Sequence, residues 1–123
     1  MATNQYKANS FFVVQNSSAT FTGSDMVNNQ FRGVKVFIKV NSVSGGNVTV
    51  NIQQKAPAAD AASYDTILSS ASLTSTGLTV LTVYPGVTAA SNVSVSDVLP
   101  TLWRVTTSAG ATIDYTISAC YIP

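Results

Sequence analysis

Residues 33–54 read GVKVFIKVNSVSGGNVTVNIQQ, and the alternation in this stretch decides the fold. Val34, Val36, Ile38 and Val40 recur at every second position, with Lys35, Phe37, Lys39 and Asn41 between them. A strand sends successive side chains to opposite faces. The four aliphatic residues therefore share a core face, and Phe37 stands among lysine stems on the other. Val48, Val50 and Ile52 repeat the pattern with Thr49, Asn51 and Gln53 outside. Ser44, Gly45, Gly46 and Asn47 lie between the two runs and supply the permissive dihedrals of a turn. The stretch is expected to form an antiparallel hairpin.

A second hairpin is expected near the C-terminus. Trp103 and Val105 share one face, Gly110 makes the turn, and Ile113, Tyr115, Ile117, Ala119 and Tyr121 align on the return. Between these pairs, Leu78 to Tyr84 is apolar on both faces, which fits an inner strand or one covered by a partner. Pro85 and Gly86 end it. Tyr64 to Ser69 reads as a short strand, and Val93 and Val95 mark a short edge strand ahead of Pro100. Upstream, Phe11, Phe12, Val13 and Val14 are consecutive, so part of that run needs cover on both sides. Ala19 to Thr22 suggests another short segment, while Gly23 to Gln30 and Lys55 to Ser63 read as loops.

No stretch keeps a 3.6-residue apolar stripe. Seven to nine short strands rich in Val, Thr and Ile predict an all-β chain, a two-sheet antiparallel β-sandwich of Ig-like or jelly-roll type, with a small closed barrel as the alternative. Strand order over long connections leaves no local trace. The domain is expected over 11–123, behind a polar N-terminal arm at 1–10 with Tyr6 and Lys7 as anchors.

The chain has 123 residues, the size of one domain, yet carries only six Lys or Arg, five Asp and no Glu or His. Such sparse charge suits a packed assembly. Lys7, Arg32, Lys35, Lys39, Lys55 and Arg104 are dispersed rather than striped, which argues against nucleic acid as a partner. The start is polar and no apolar run approaches a membrane span, so synthesis in a cytoplasm without membrane insertion is expected. The acceptor-like triplets at Asn16, Asn47 and Asn92 then carry no weight. Cys120 is the sole cysteine and reads as a small, half-buried residue.

General acid–base work needs a group that titrates near working pH, held against another. Asp25, Asp60, Asp65, Asp97 and Asp114 are scattered, and Cys120 has no histidine to deprotonate it. No cluster has metal-ligand spacing, and Gly45-Gly46 lacks the Lys and Ser/Thr of a phosphate loop. No catalytic residue, metal or cofactor is expected, and the chain does not read as an enzyme. Binding through aromatic and cationic side chains remains, with Tyr6, Lys7, Phe11, Phe12, Arg32, Phe37, Lys39, Tyr84 and Arg104 as partner-contact candidates. Alternation puts Trp103 in the core and Arg104 on the opposite sheet face.

The segments LTVLTVYPGV at 78–87 and DVLPTLWRV at 97–105, supported by 33–57, resemble small structural proteins of tailed-bacteriophage head gene modules. The likeness covers about residues 33 to 120 and its motifs are structural. It implies a virion component on the capsid surface, a decoration or cement protein that binds the major capsid protein, with self-association, as a trimer in some such proteins. Some members of such modules are tail or fibre components instead. The alternative is therefore a tail- or fibre-associated adhesion module binding a host surface glycan, for which Trp103, or Tyr64 with Asp65, would supply the aromatic platform.

Overall fold

The computed structural model describes residues 10–56, 63–110 and 112–123. Nine strands lie among them: β1 (Ser10–Ser17), β2 (Met26–Val27), β3 (Gly33–Val43), β4 (Val48–Lys55), β5 (Tyr64–Ser69), β6 (Gly77–Val83), β7 (Ser94–Val95), β8 (Leu102–Ala109) and β9 (Ile113–Ile122). They form a five-stranded sheet in the order β1-β9-β3-β6-β7 and a four-stranded sheet in the order β2-β8-β4-β5. The all-β, two-sheet expectation stands. Every pairing is antiparallel except the short one between β6 and β7.

The core is the set of inward faces that the alternation marks. Val34, Val36, Ile38 and Val40 from β3 and Ile113, Tyr115, Ile117 and Ala119 from β9 meet Val48, Val50 and Ile52 from β4 and Trp103 and Val105 from β8 in one buried cluster. Each buried aliphatic or aromatic side chain contributes about 1.5–3 kcal/mol of transfer free energy. Polar groups that enter this layer are satisfied. The Phe21 amide donates to Thr107 Oγ1 at 2.9 Å, that hydroxyl lies 2.6 Å from Tyr115 Oη, and Tyr115 donates to the Ala19 carbonyl at 2.5 Å. Trp103 Nε1 donates to the Tyr121 hydroxyl at 3.1 Å, and burial pushes that hydroxyl's pKa up.

Both expected hairpins are overturned, although all four of their strands are present. β3 pairs with β9 and β6, whereas β4 pairs with β8 and β5, so each supposed hairpin is a connection between sheets. The physical reason is that two strands facing each other across a core show the same alternation as two strands hydrogen-bonded side by side. The two connections lie together at one end of the molecule. Ser44 N–H donates to Thr112 O at 2.9 Å and Gly110 N–H to Asn47 O at 2.7 Å. Gly45, at φ 84°, supplies the left-handed turn that a β-carbon disfavours.

Two further local departures matter for the outer surface. The stretch read as a loop at Gly23 to Gln30 contains β2, whose Met26 pairs with Trp103. The Phe11–Val14 run is resolved by a bulge: Phe12 pairs with Ser118 and Val14 with Ile117, leaving Val13 as the extra residue. At the start of β3, a β-carbon on Gly33 would stand 2.1 Å from the Val83 carbonyl oxygen, so the close approach of β3 to the end of β6 requires glycine.

Candidate functional site

On the outer face of the five-stranded sheet, register places Phe12, Ser118, Phe37 and Val80 in one row across β1, β9, β3 and β6. Lys39 and Leu78 face each other in the next row on one side, and Lys35 and Thr82 in the row on the other. Phe12 in this row and Leu78 in the next are open to solvent, at 63% and 61% exposed, while Phe37 and Val80 are half-buried. An open groove of about 300 Å³ runs between Phe12 and Phe37 and is lined also by Ser10, Ser118 and Cys120. A contiguous exposed apolar patch rimmed by polar residues is a mark of an interaction surface, whereas scattered exposed apolar residues are not.

Lys35 and Lys39 are exposed beside this row. Among the described residues the one salt bridge is Lys55–Asp25, on the other side of the molecule, so neither lysine has an ionic partner there. The nearest acid on the same face by register is Asp114, two residues along β9 from the Thr116 that pairs with Lys39. Its carboxylate accepts from Asn41 Nδ2 at 2.9 Å.

The outer face of the four-stranded sheet differs. Arg104 Nε donates to Gln53 Oε1 at 2.8 Å, and the guanidinium lies 3.5 Å over the Tyr64 ring centroid. Gln53 Nε2 donates to Thr66 at 3.2 Å, and Ser69 to Asn51 at 2.6 Å. Lys55 Nζ donates to Asp25 Oδ2 at 2.9 Å, and the Tyr64 hydroxyl donates to Asp25 Oδ1. Those two donors, Tyr64 first and Lys55 second, hold the Asp25 carboxyl below the usual carboxylate range. The hydrogen bond to Asp25 raises the Lys55 ammonium in turn. These contacts tie β4 and β5 to the segment that carries Asp25. A groove of about 410 Å³ lies beside it, between Ala56 and Ser63, which bracket residues outside the description. Among the described residues no group of three His, Cys or acidic side chains is placed to hold a metal ion.

Of the nine partner-contact candidates, the sheet brings Phe12, Phe37 and Lys39 together. Tyr6 and Lys7 lie outside the described residues. Phe11 turns inward, with its ring 6.4 Å from that of Trp103 and 5.4 Å from that of Tyr121. Arg32 is exposed just before β3, and the half-buried Tyr84 donates its hydroxyl to Pro123 O at 3.2 Å. Arg104 stands on the opposite sheet face from Trp103, as alternation implies, and is engaged by Gln53 and Tyr64. Val80 and Leu78 were not among the candidates, and the doubly apolar strand at 78–84 was their signal.

No model of a known protein family, no curated protein and no solved structure matches the chain.

Proposed function

We propose that the chain is a non-enzymatic structural module of a tailed-phage virion, a decoration protein that stabilises the capsid by binding the major capsid protein through the outer face of the five-stranded sheet. The observation that carries this reading is the outward apolar row of Phe12, Phe37 and Val80, with Leu78 beside it, in which Phe12 and Leu78 are exposed and Phe37 and Val80 half-buried. The resemblance of residues 78–87 and 97–105 to phage head-module proteins supplies the setting. Decoration needs a rigid body whose many copies each make a modest contact, because the lattice multiplies their strength. In this reading the two sheets form an open sandwich, Ig-like or jelly-roll, since strands of two residues at two of the sheet edges leave no seam for barrel closure.

The glycan-adhesion alternative has little to stand on. Trp103 is fully buried, and the Tyr64 ring is covered on one face by Arg104 while its hydroxyl is tied to Asp25. Quantitative mass spectrometry of virions from the genome that encodes this chain tests the assignment. The expected stoichiometry is comparable to that of the major capsid protein. A handful of copies per particle, or none, overturns it.

A further inference from the structure

We infer that the surface received by the outer face of the five-stranded sheet is a heterologous protein surface in which apolar side chains are flanked by carboxylates, and not a second copy of the same face. The inference rests on the docking face proposed above and adds the chemistry of its partner.

Charge carries it. The apolar row is bordered along β3 by Lys35 on one side and Lys39 on the other, both exposed and both without an ionic partner among the described residues. Asp114 stands at the end of the face and is held by Asn41. The centre of the face is therefore apolar and cationic. Two such faces packed with their β3 strands aligned would bring Lys35 and Lys39 of each copy against the same residues of the other. Like charges opposed across a drying interface disfavour that arrangement strongly. A partner with Asp or Glu on either side of an apolar ridge meets the row and both ammonium groups together. The groove between Phe12 and Phe37, about 300 Å³, admits a side chain of such a ridge.

The experiment has two arms. In the first, a random-peptide library is selected on the folded wild-type chain and counter-selected on the Phe37→Ser variant, so that only ligands of this face survive. Peptides that combine apolar residues with Asp or Glu, and lose binding to a Lys35→Glu/Lys39→Glu variant, are expected. Neutral or basic peptides overturn the inference whatever the chain's role in a virion. In the second, capsid shells assembled without this chain are titrated with variants of matched thermal stability. Charge reversal at Lys35 and Lys39 is expected to weaken binding roughly thirtyfold, and Arg at both positions to keep it within about threefold. Loss of binding in Phe12→Ser/Phe37→Ser with no effect of charge reversal overturns the acidic-partner inference and leaves the docking face standing. Unchanged binding in the double Phe variant removes the face itself. Failure of the wild-type chain to bind shells counts against the virion assignment, while the peptide arm still decides the partner's chemistry. Sedimentation of the free chain closes the other route: self-association abolished by Phe37→Ser overturns the inference.

Discussion

The two sheets turn different outer surfaces to solvent. On the four-stranded sheet, Arg104, Gln53, Tyr64, Thr66, Asn51 and Ser69 donate to, accept from or stack on one another, and Lys55 and Asp25 neutralise each other. On the five-stranded sheet, Phe12, Phe37, Val80 and Leu78 stand in open rows beside Lys35 and Lys39, which have no ionic partner among the described residues. A polar surface that satisfies itself gains little from a partner, because every group it offers must first give up an intramolecular bond. An apolar row with unpaired cations has its favourable interactions still to make. The contrast separates a face whose polar groups satisfy one another from a face whose apolar and cationic groups meet solvent.

The largest expected effect lies on the self-satisfied face. Arg104→Ala removes a guanidinium stacked on Tyr64 and a hydrogen bond that leaves Gln53 Oε1 without its donor. A loss of about 2 kcal/mol of folding free energy is expected from urea unfolding. Arg104→Lys should lose about half of that, since an ammonium lacks the planar fork that both stacks and donates sideways. Lys39→Ala, an equally cationic site on the open face, should change stability by less than about 0.5 kcal/mol. Equal losses at the two positions would break the contrast.

The next effect is on the open face. Phe37 is half-buried between β9 and β6, so Phe37→Ser is expected to cost about 1 kcal/mol. Phe12, on an edge strand and 63% exposed, should cost less than about 0.5 kcal/mol on the same change. Both variants should bind less of a hydrophobic dye than wild type. An unfolding cost for Phe12→Ser above that of Phe37→Ser would mean that the edge strand depends on its outer side chain, and the row would then belong to the fold.

How far the sequence discloses this arrangement depends on the range of the interaction. Alternation is local, so the inward identity of Val34, Val36, Ile38, Val50, Trp103, Tyr115 and Ile117 is legible from spacing alone. The placement of Phe37 among lysines on the outer face is legible in the same way. Pairing is not local. β3 and β4 carry matching patterns because both line one core, and nothing in the turn at 44–47 says whether the chain returns beside β3 or crosses to the other sheet. The outer apolar row suffers from this directly, since it needs β9 between β1 and β3 and a bulge after Phe12. The Asp25–Lys55–Tyr64–Arg104 cluster is drawn from three strands and a loop, and no periodicity connects its members.

The smallest effect is a pH dependence confined to the four-stranded sheet. The Tyr64 hydroxyl and the Lys55 ammonium both favour the anionic form of Asp25, so its pKa in the folded chain lies below that in the unfolded chain. At acidic pH the unfolded state then binds the proton more readily than the folded one. The contribution of Asp25 is fully present above the unfolded carboxylate pKa and is lost as pH falls through the folded value. Because the side chain is partly exposed, solvent screens the effect. Asp25→Asn should therefore lower stability slightly at neutral pH and flatten the acid limb of a curve of urea midpoint against pH. At pH values below the folded pKa, wild type and variant should converge. Lys55 has the opposite sign: its raised pKa gives stability that is present below the unfolded lysine value and lost as pH rises through the folded one, so Lys55→Met should flatten the alkaline limb. If Asp25→Asn leaves the acid limb as steep as in wild type, the carboxylate does not tie β4 and β5 to the segment that carries it, and the self-satisfied character of that face would rest on Arg104, Gln53 and Tyr64 alone.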